Sequence, residues 1–111
     1  MKKITLKDVK PYSAPGHFDM TALRLHGKEE TGATKFWIGL SYFLPGGGAD
    51  FASPPGEKVY FVIDGEVTIK TEDQETVLVK NDLIYIAPNE GRAIINESNR
   101  PVSMLVVYSY D

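Results

Sequence analysis

The sequence predicts an all-β domain, because short alternating strands and turn residues follow one another along most of the 111-residue chain. The run KVYFVI at residues 58–63 is β-branched and aromatic, which is typical of a strand, and the Asp64-Gly65 pair after it is a hairpin signal. No window combines a 3.6-residue period with helix caps. About eight to ten short strands separated by turns indicate a single sandwich or closed barrel.

The other strands are predicted by the same period-two pattern. Apolar side chains occupy both faces of KFWIGLSYFL at residues 35–44. Residues 7–20 and 27–34 are less regular, and we expect an N-terminal arm and a loop there. The glycines of residues 46–48 predict a turn, since the Gly-Lys-Ser/Thr of a phosphate-binding loop does not follow them. The remaining expected strands are residues 66–70, 76–79, 83–86, 92–96 and 102–108, with weaker ones at 3–6 and 21–25.

Composition excludes several classes of function. The formal net charge of -3 argues against nucleic-acid binding, which needs a basic face. The chain has no cysteine, so disulfides, thiolate metal sites and cysteine nucleophiles are excluded. The N-terminal MKKITLKDVKPYS lacks the apolar run of a signal peptide, and no stretch approaches the roughly 18 apolar residues of a membrane span. We therefore expect a cytoplasmic protein that binds neither nucleic acid nor membrane.

Two segments, PGEKVYFVIDGEVTIK and VLVKNDLIYIAPNEGRAIIN, resemble the two motifs of the cupin family of small jelly-roll β-barrels. The resemblance in strand pattern covers residues 36–108. It implies one cupin domain over residues 1–111, with residues 1–20 as an N-terminal strand or arm and residues 36–108 as the conserved barrel. The turn residues that match the motifs are Gly46, Gly65, Asp82, Pro88 and Asn96.

The resemblance also indicates which positions hold the family's metal. Its two motif-1 histidines fall on Ala52 and Pro54, its glutamate on Lys58 and its motif-2 histidine on Arg92. Alanine and proline offer no ligand side chain, and two cations would repel a divalent metal. We therefore expect a cupin that has no metal and no other cofactor.

Strand alternation predicts a cationic pocket. Lys58, Tyr60 and Val62 share one side of their strand, and Arg92 and Ile94 share one side of theirs. If both sides face inward, a lysine and an arginine meet across the barrel, and two buried cations need an anion. A guanidinium binds planar anions in bidentate fashion, so the partner that we expect is a small anionic metabolite.

The ordinary alternatives are that Lys58 is a rim lysine paired with Glu57 or Glu90, and that Arg92 is paired with Glu90 or Asp82. Trp37 is a further candidate for binding the ligand, although large aromatic residues more often belong to a core or an interface.

Three residues are candidates for catalysis. Lys58, with its pKa lowered by a nearby Arg92, would be a base or a Schiff-base amine, and Tyr60 would be a proton donor. The segment SAPGHFD would carry His17 into the barrel as a base, since histidine titrates near neutral pH. His17 and His26 both lie outside the two motifs, and the ordinary alternative for each is an exposed or locally bonded histidine.

Two classes of function follow. One is a metal-independent lyase or isomerase that acts on a carboxylate or a sugar acid, and the other is a non-catalytic binding or sensing module for a small anion. A histidine at the pocket favours the first, and cations without a base favour the second. A metalloenzyme requires that residues such as Glu57 and His17 rebuild a site. The resemblance also implies a homodimer, which the two apolar faces of residues 35–44 support.

Overall fold

The computed structural model describes residues 1–110, which form a nearly closed antiparallel β-barrel. This confirms the predicted all-β jelly-roll barrel. A 3₁₀-helix at Leu6–Asp8 and a one-turn α-helix, α1, at Lys28–Thr31 lie outside the strands. The strands in these residues are β1 (Pro11–Tyr12), β2 (His17–His26), β3 (Phe36–Ala52), β4 (Lys58–Asp64), β5 (Val67–Lys70), β6 (Glu75–Leu78), β7 (Leu83–Ile86), β8 (Arg92–Ile95) and β9 (Val102–Ser109).

The strands pair in the order β6-β5-β8-β3-β9-β4-β7, and β2 pairs with β1 and β3. The long strand β3 joins the two halves of the barrel. Its first half, residues 36–43, pairs with β9, and its second half pairs with β8 from Gly48 opposite Ile95 to Ala52 opposite Arg92. One strand therefore contributes side chains to the interior along most of its length.

The predicted turn at residues 46–48 is wrong, because β3 continues through it as a bend. Gly46 has φ +84°, a conformation that favours glycine. A Cβ at Gly48 would overlap the backbone carbonyl of Ile94, so only glycine allows β8 to approach. The bend is fixed by Asn96, whose N–H donates to Gly47 O at 2.8 Å and whose carbonyl accepts from Gly46 N at 2.8 Å.

The N-terminal region departs from the prediction. Residues 3–6 form no strand, because the chain first joins the sheet at Pro11, which pairs with Leu23 of β2. The strand expected at residues 21–25 is present and longer, since β2 begins at His17 and ends at His26. Helix α1 lies in the loop expected at residues 27–34, and a single turn is too short to show a helical period. Neither helix in residues 1–110 is long and apolar enough to cross a membrane.

The core lies between the sheet faces and consists of inward side chains of the seven strands β3 to β9. Alternation holds as expected on β4, where Lys58, Tyr60 and Val62 are buried and Ile63 is exposed. Side chains with no measurable exposed surface include Phe43, Val62 and Met104. Five of the core side chains also line a cavity, together with Trp37 and Ser41 of β3; they are Phe43, Tyr60, Ile94, Met104 and Val106.

Candidate ligand-binding cavity

The cavity has a volume of about 340 Å³ and is walled by β1, β2, β3, β4, β8 and β9. Its ionisable lining consists of Arg24, Lys58, Arg92 and His17 together with tyrosines. Among the described residues, no aspartate or glutamate lines it. Apolar side chains such as Ile94 and Met104 complete the walls. The cavity is therefore positively charged and otherwise largely apolar.

Lys58 is the first residue of β4, opposite Ile86 on one side and Tyr108 on the other. Its side chain is buried, with 3% of the residue surface exposed, and its Nζ has no hydrogen-bond partner. The Nζ atom lies 5.6 Å from the centroid of the Tyr108 ring. Burial lowers the pKa of Lys58, the Arg92 charge lowers it further, and Glu90 opposes both. The ammonium group is thus both desolvated and unpaired.

Arg92 is the first residue of β8 and lies opposite Ala52 of β3. It is 6% exposed, its Nε donates to Tyr60 Oη at 2.8 Å, and one terminal nitrogen donates to the carbonyl of Asp50 at 3.1 Å. Both partners are uncharged acceptors. The guanidinium charge therefore remains without a carboxylate partner.

Neither Lys58 nor Arg92 forms an ion pair with the carboxylates that the sequence offered as partners. Ion pairs within residues 1–110 join Lys70 to Glu75 and Arg100 to Asp64, both on the surface. The carboxylates that were candidates for pairing bind elsewhere. Asp82 accepts from Val79 N at 2.9 Å, Glu90 accepts from Ala87 N at 3.0 Å, and Glu57 accepts from Tyr85 Oη at 2.9 Å.

Tyr60 lies beside Arg92 in the cavity wall and is 3% exposed. Burial raises its pKa, and the Arg92 charge and hydrogen bond only partly oppose this. The phenol therefore stays protonated near neutral pH, so Tyr60 can serve as a proton donor.

His17 lines the cavity, so the segment SAPGHFD carries it into the barrel, which is the condition for its use as a base. Its Nδ1 lies 2.8 Å from the carbonyl of Pro15, and a carbonyl can only accept, so Nδ1 carries the proton and Nε2 keeps its lone pair. Burial lowers the pKa of His17, the bond to Pro15 opposes this, and Arg92 lowers the pKa further. A neutral imidazole of this kind is suited to act as a base.

Trp37 lies in a row of aromatic and cationic side chains that the sequence did not predict. Its ring stacks on Tyr108 with centroids 5.5 Å apart and planes at 25°. Arg24 lies on its other side, with Cζ 5.0 Å from the Trp37 ring and 4.3 Å from the Tyr12 ring. The Nε of Arg24 is buried without a partner. The sequence analysis did not identify Arg24 or Tyr108 as cavity residues. The one sequence signal for Arg24 is period-two alternation, which puts it on the same side of β2 as Ala22, and Ala22 is buried in the structure.

The four positions that correspond to the metal ligands of the cupin motifs all line the cavity. Their side chains do not fit a divalent ion. Ala52 and Pro54 provide no donor atom, and Lys58 and Arg92 are cationic. Glu57 is bonded to Tyr85 outside the cavity, so the structure does not bring it to His17. In the described part of the chain, no group of three His, Asp or Glu side chains is arranged to hold a metal.

The remaining histidine is not part of the cavity. His26 lies 4.9 Å from the Phe36 ring and forms a hydrogen bond with Thr31 at 2.7 Å. This matches the ordinary alternative of a locally bonded histidine.

A small antiparallel barrel with a cavity between its strands defines the class, and the chain belongs to the cupin family: the cupin domain matches residues 39–108. The chain is similar to the protein named beta-D-galactosidase Rv1717 of Mycobacterium tuberculosis (strain ATCC 25618 / H37Rv). The two are 36% identical over 110 residues, which cover 99% of this chain and 95% of that protein.

Two solved structures share the fold. The polyketide cyclase RemF from Streptomyces resistomycificus is 21% identical, with a TM-score of 0.88 over 100% of this chain and 80% of that one. A sugar phosphate isomerase of the cupin superfamily, SPO2919 from Silicibacter pomeroyi, is 19% identical, with a TM-score of 0.81 over 99% of this chain and 76% of that one. At these identities the likeness shows the fold alone.

Proposed function

We propose that this protein binds a small organic anion in the cavity and holds its carboxylate between Lys58 and Arg92 without a metal. One observation carries the proposal: Lys58 Nζ is buried without a hydrogen-bond partner. An isolated buried ammonium is strongly unfavourable, and Arg92 beside it adds to the cost. A carboxylate would supply the missing charge and acceptor atoms to both side chains.

A second candidate function is catalysis on the bound acid, as a lyase or isomerase. The presence of His17 at the cavity favours it, because a neutral Nε2 can remove a proton from a ligand held by the two cations. If Arg92 alone holds the carboxylate, Lys58 in its neutral amine form is the other candidate base, and Tyr60 is the candidate acid. Without turnover, the same contacts describe a binding or sensing module.

The names of the similar proteins bear on the ligand in different ways. Glycoside hydrolysis usually employs a pair of Asp or Glu side chains on either side of the bond, and the described cavity lining contains neither. The cavity therefore does not support the activity in the name of the mycobacterial protein. A sugar phosphate is an anion, as the cationic cavity requires, but its hydroxyls need further partners.

The test of the proposed function is thermal unfolding with a panel of carboxylates, sugar acids, phosphates and divalent metals. A carboxylate at about 100 times its dissociation constant adds roughly 2.7 kcal/mol of stability, which raises the midpoint by on the order of 10 °C. The response should be lost in Arg92→Gln and retained in Arg100→Gln, whose side chain is on the surface. NMR of the ligand in D₂O in the same samples reports turnover.

Either of two results contradicts the proposal. One is a shift that is equal in wild type and Arg92→Gln. The other is a panel in which divalent metals alone raise the midpoint, which would mean that residues other than the two cations rebuild a metal site.

We also propose that two copies pair through the outer face of β7, β4, β9 and β3. Register places Phe61 of β4 between Leu83 of β7 and Leu105 of β9 on this face. Leu83 and Tyr85 are 59% and 55% exposed, so the face is a broad apolar surface at the edge of the sheet. An identical apolar face on a second copy would cover it symmetrically.

Sedimentation or light scattering tests the pairing. We expect wild type at twice the chain mass of 12.3 kDa and Leu83→Glu near the chain mass itself. Val77→Glu is the matched control, since Val77 is 51% exposed on β6 at the opposite end of the strand order. A monomeric wild type, or dissociation caused equally by both variants, would show that this face is not the interface.

A further inference from the structure

We propose that the anion is an aromatic carboxylate with a second acceptor on the far side of its ring, rather than a sugar acid. This inference rests on the proposed function and names the ligand class for the same cavity. Two features carry it: a row of neighbouring side chains with a buried, unsatisfied nitrogen at each end, and a lining that cannot satisfy several hydroxyl groups.

The row crosses four successive strands. Lys58 of β4, Tyr108 of β9, Trp37 of β3 and Arg24 of β2 are neighbours in turn, because these strands pair in that order. The spacings are 5.6 Å from Lys58 Nζ to the Tyr108 ring, 5.5 Å between the Tyr108 and Trp37 rings, and 5.0 Å from Trp37 to Arg24 Cζ. Three strand spacings of about 4.8 Å give the row a length of about 14 Å along the curved sheet.

Both cations at the ends of this row have an unsatisfied donor. Lys58 Nζ and Arg24 Nε are buried without hydrogen-bond partners. A ligand that reaches along the row, with a carboxylate toward Lys58 and Arg92 and an acceptor toward Arg24, would satisfy both. Its middle would lie against the edges of Trp37 and Tyr108, whose faces are covered within the row, and an aromatic ring meets such edges favourably in an edge-to-face contact.

A sugar acid fits the lining poorly because each of its hydroxyls must donate a hydrogen bond. The described lining contains no Asp, Glu, Asn or Gln side chain. The side-chain acceptors are tyrosine and serine hydroxyls and His17 Nε2, and two of the hydroxyls are already engaged: Tyr60 accepts from Arg92 and Tyr108 accepts from Gly56 N at 2.9 Å. Hydroxyls left unpaired in an apolar cavity oppose binding. The volume of about 340 Å³ is at the small end for ligand sites and suits a single ring.

Calorimetric titration with four probes tests the inference. Terephthalate has a ring and two carboxylates, benzoate lacks the second acceptor, cyclohexanecarboxylate lacks the flat ring, and glucuronate is a sugar acid. We expect terephthalate to bind at least tenfold more tightly than benzoate, and benzoate more tightly than the other two. Trp37 is the single tryptophan of the chain and lies in the cavity wall, so its fluorescence should change on binding.

Variants separate the two ends of the row. Arg24→Gln should weaken terephthalate about tenfold and leave benzoate nearly unchanged, because benzoate presents no acceptor to Arg24. Lys28→Gln is the matched control, since Lys28 Nζ lies 4.5 Å from the Tyr110 ring outside the cavity. Circular dichroism verifies that each variant is folded.

The outcomes distinguish this inference from the proposed function. If glucuronate binds and the aromatic acids do not, the anion site stands and the aromatic inference is overturned. If Arg24→Gln weakens the binding of terephthalate and of benzoate equally, Arg24 does not bind a second acceptor on the ligand, and that part of the inference is overturned. If none of the four probes and no other anion binds, the proposed function fails together with the inference.

Discussion

Replacing Lys58 with methionine should make the free protein more stable by about 1–2 kcal/mol and abolish anion binding. Lys58 is 3% exposed, and its Nζ has no partner. An unsatisfied buried polar group costs roughly 1–3 kcal/mol, and replacing buried charges with apolar groups of similar size is often stabilising. Methionine keeps the length of the side chain and removes the charge. The unfolding midpoint should rise by roughly 4–8 °C for each kcal/mol.

The pH dependence of this effect follows from the pKa of Lys58, which burial and Arg92 hold below its ordinary value of 10.5. Between the folded-state pKa and 10.5, the unfolded chain holds more protons than the folded one. The stability of wild type therefore rises with pH through this window, relative to Lys58→Met. The difference between the two proteins should be largest at neutral pH and shrink toward pH 10.5. Anion affinity should fall over the same window, because the ligand requires the ammonium form.

Urea unfolding from neutral to alkaline pH, with and without the anion, measures both effects. Lys80→Met is the control, since Lys80 is exposed in the turn before β7 and its replacement should change neither stability nor binding. The cationic site would be refuted by a Lys58→Met variant that is clearly less stable than wild type. Undiminished anion binding by that variant would refute it equally.

The sequence predicted the part of the cavity that depends on local periodicity. Alternation put Lys58 and Tyr60 on one side of β4 and Arg92 and Ile94 on one side of β8, and the structure has all four in the cavity wall. The motif spacing also placed Ala52 and Pro54 there. A single strand determines which of its side chains share a face, whereas the cupin resemblance was needed to predict which face points inward.

The other cavity residues, which the sequence did not predict, are brought together by contacts between strands that are distant in sequence. Arg24 and Tyr108 meet Trp37 only because β2 and β9 flank β3. His17 reaches the cavity because the register of β2 against β3 shifts between Phe18 and Met20, near the bend of β3. A local pattern specifies neither the neighbours of a strand nor a bulge of this kind, so the sequence alone does not identify Arg24 and does not decide whether His17 reaches the cavity.

The bend that enables these contacts is held by Asn96. Its side chain is fully buried and all of its hydrogen-bonding groups are engaged. Nδ2 donates to the carbonyls of Phe43 at 3.1 Å and Arg100 at 2.7 Å. Oδ1 accepts from Ser98 N at 3.0 Å and Ser98 Oγ at 2.7 Å. This one amide thus ties β3, at the start of its bend, to the turn before β9.

Asn96→Asp should therefore destabilise the protein by about 3–4 kcal/mol, although the two side chains have the same shape. The ionised carboxylate loses both donors, places an oxygen against two carbonyl oxygens, and buries an unpaired charge. For a domain of this size, the midpoint should fall by on the order of 15–25 °C. The loss should be smaller at low pH, where a protonated carboxyl is neutral and regains one donor.

Thermal and urea unfolding at neutral and acidic pH measure the loss. Asn99→Asp is the matched control, because Asn99 is exposed in the turn that Asn96 binds. Asn96→Ser, which keeps one hydroxyl donor, provides a milder variant if Asn96→Asp does not fold. Equal stability of Asn96→Asp and Asn99→Asp would mean that the bend is held by the backbone bonds of Gly46 and Gly47 alone, and that the side-chain amide contributes little.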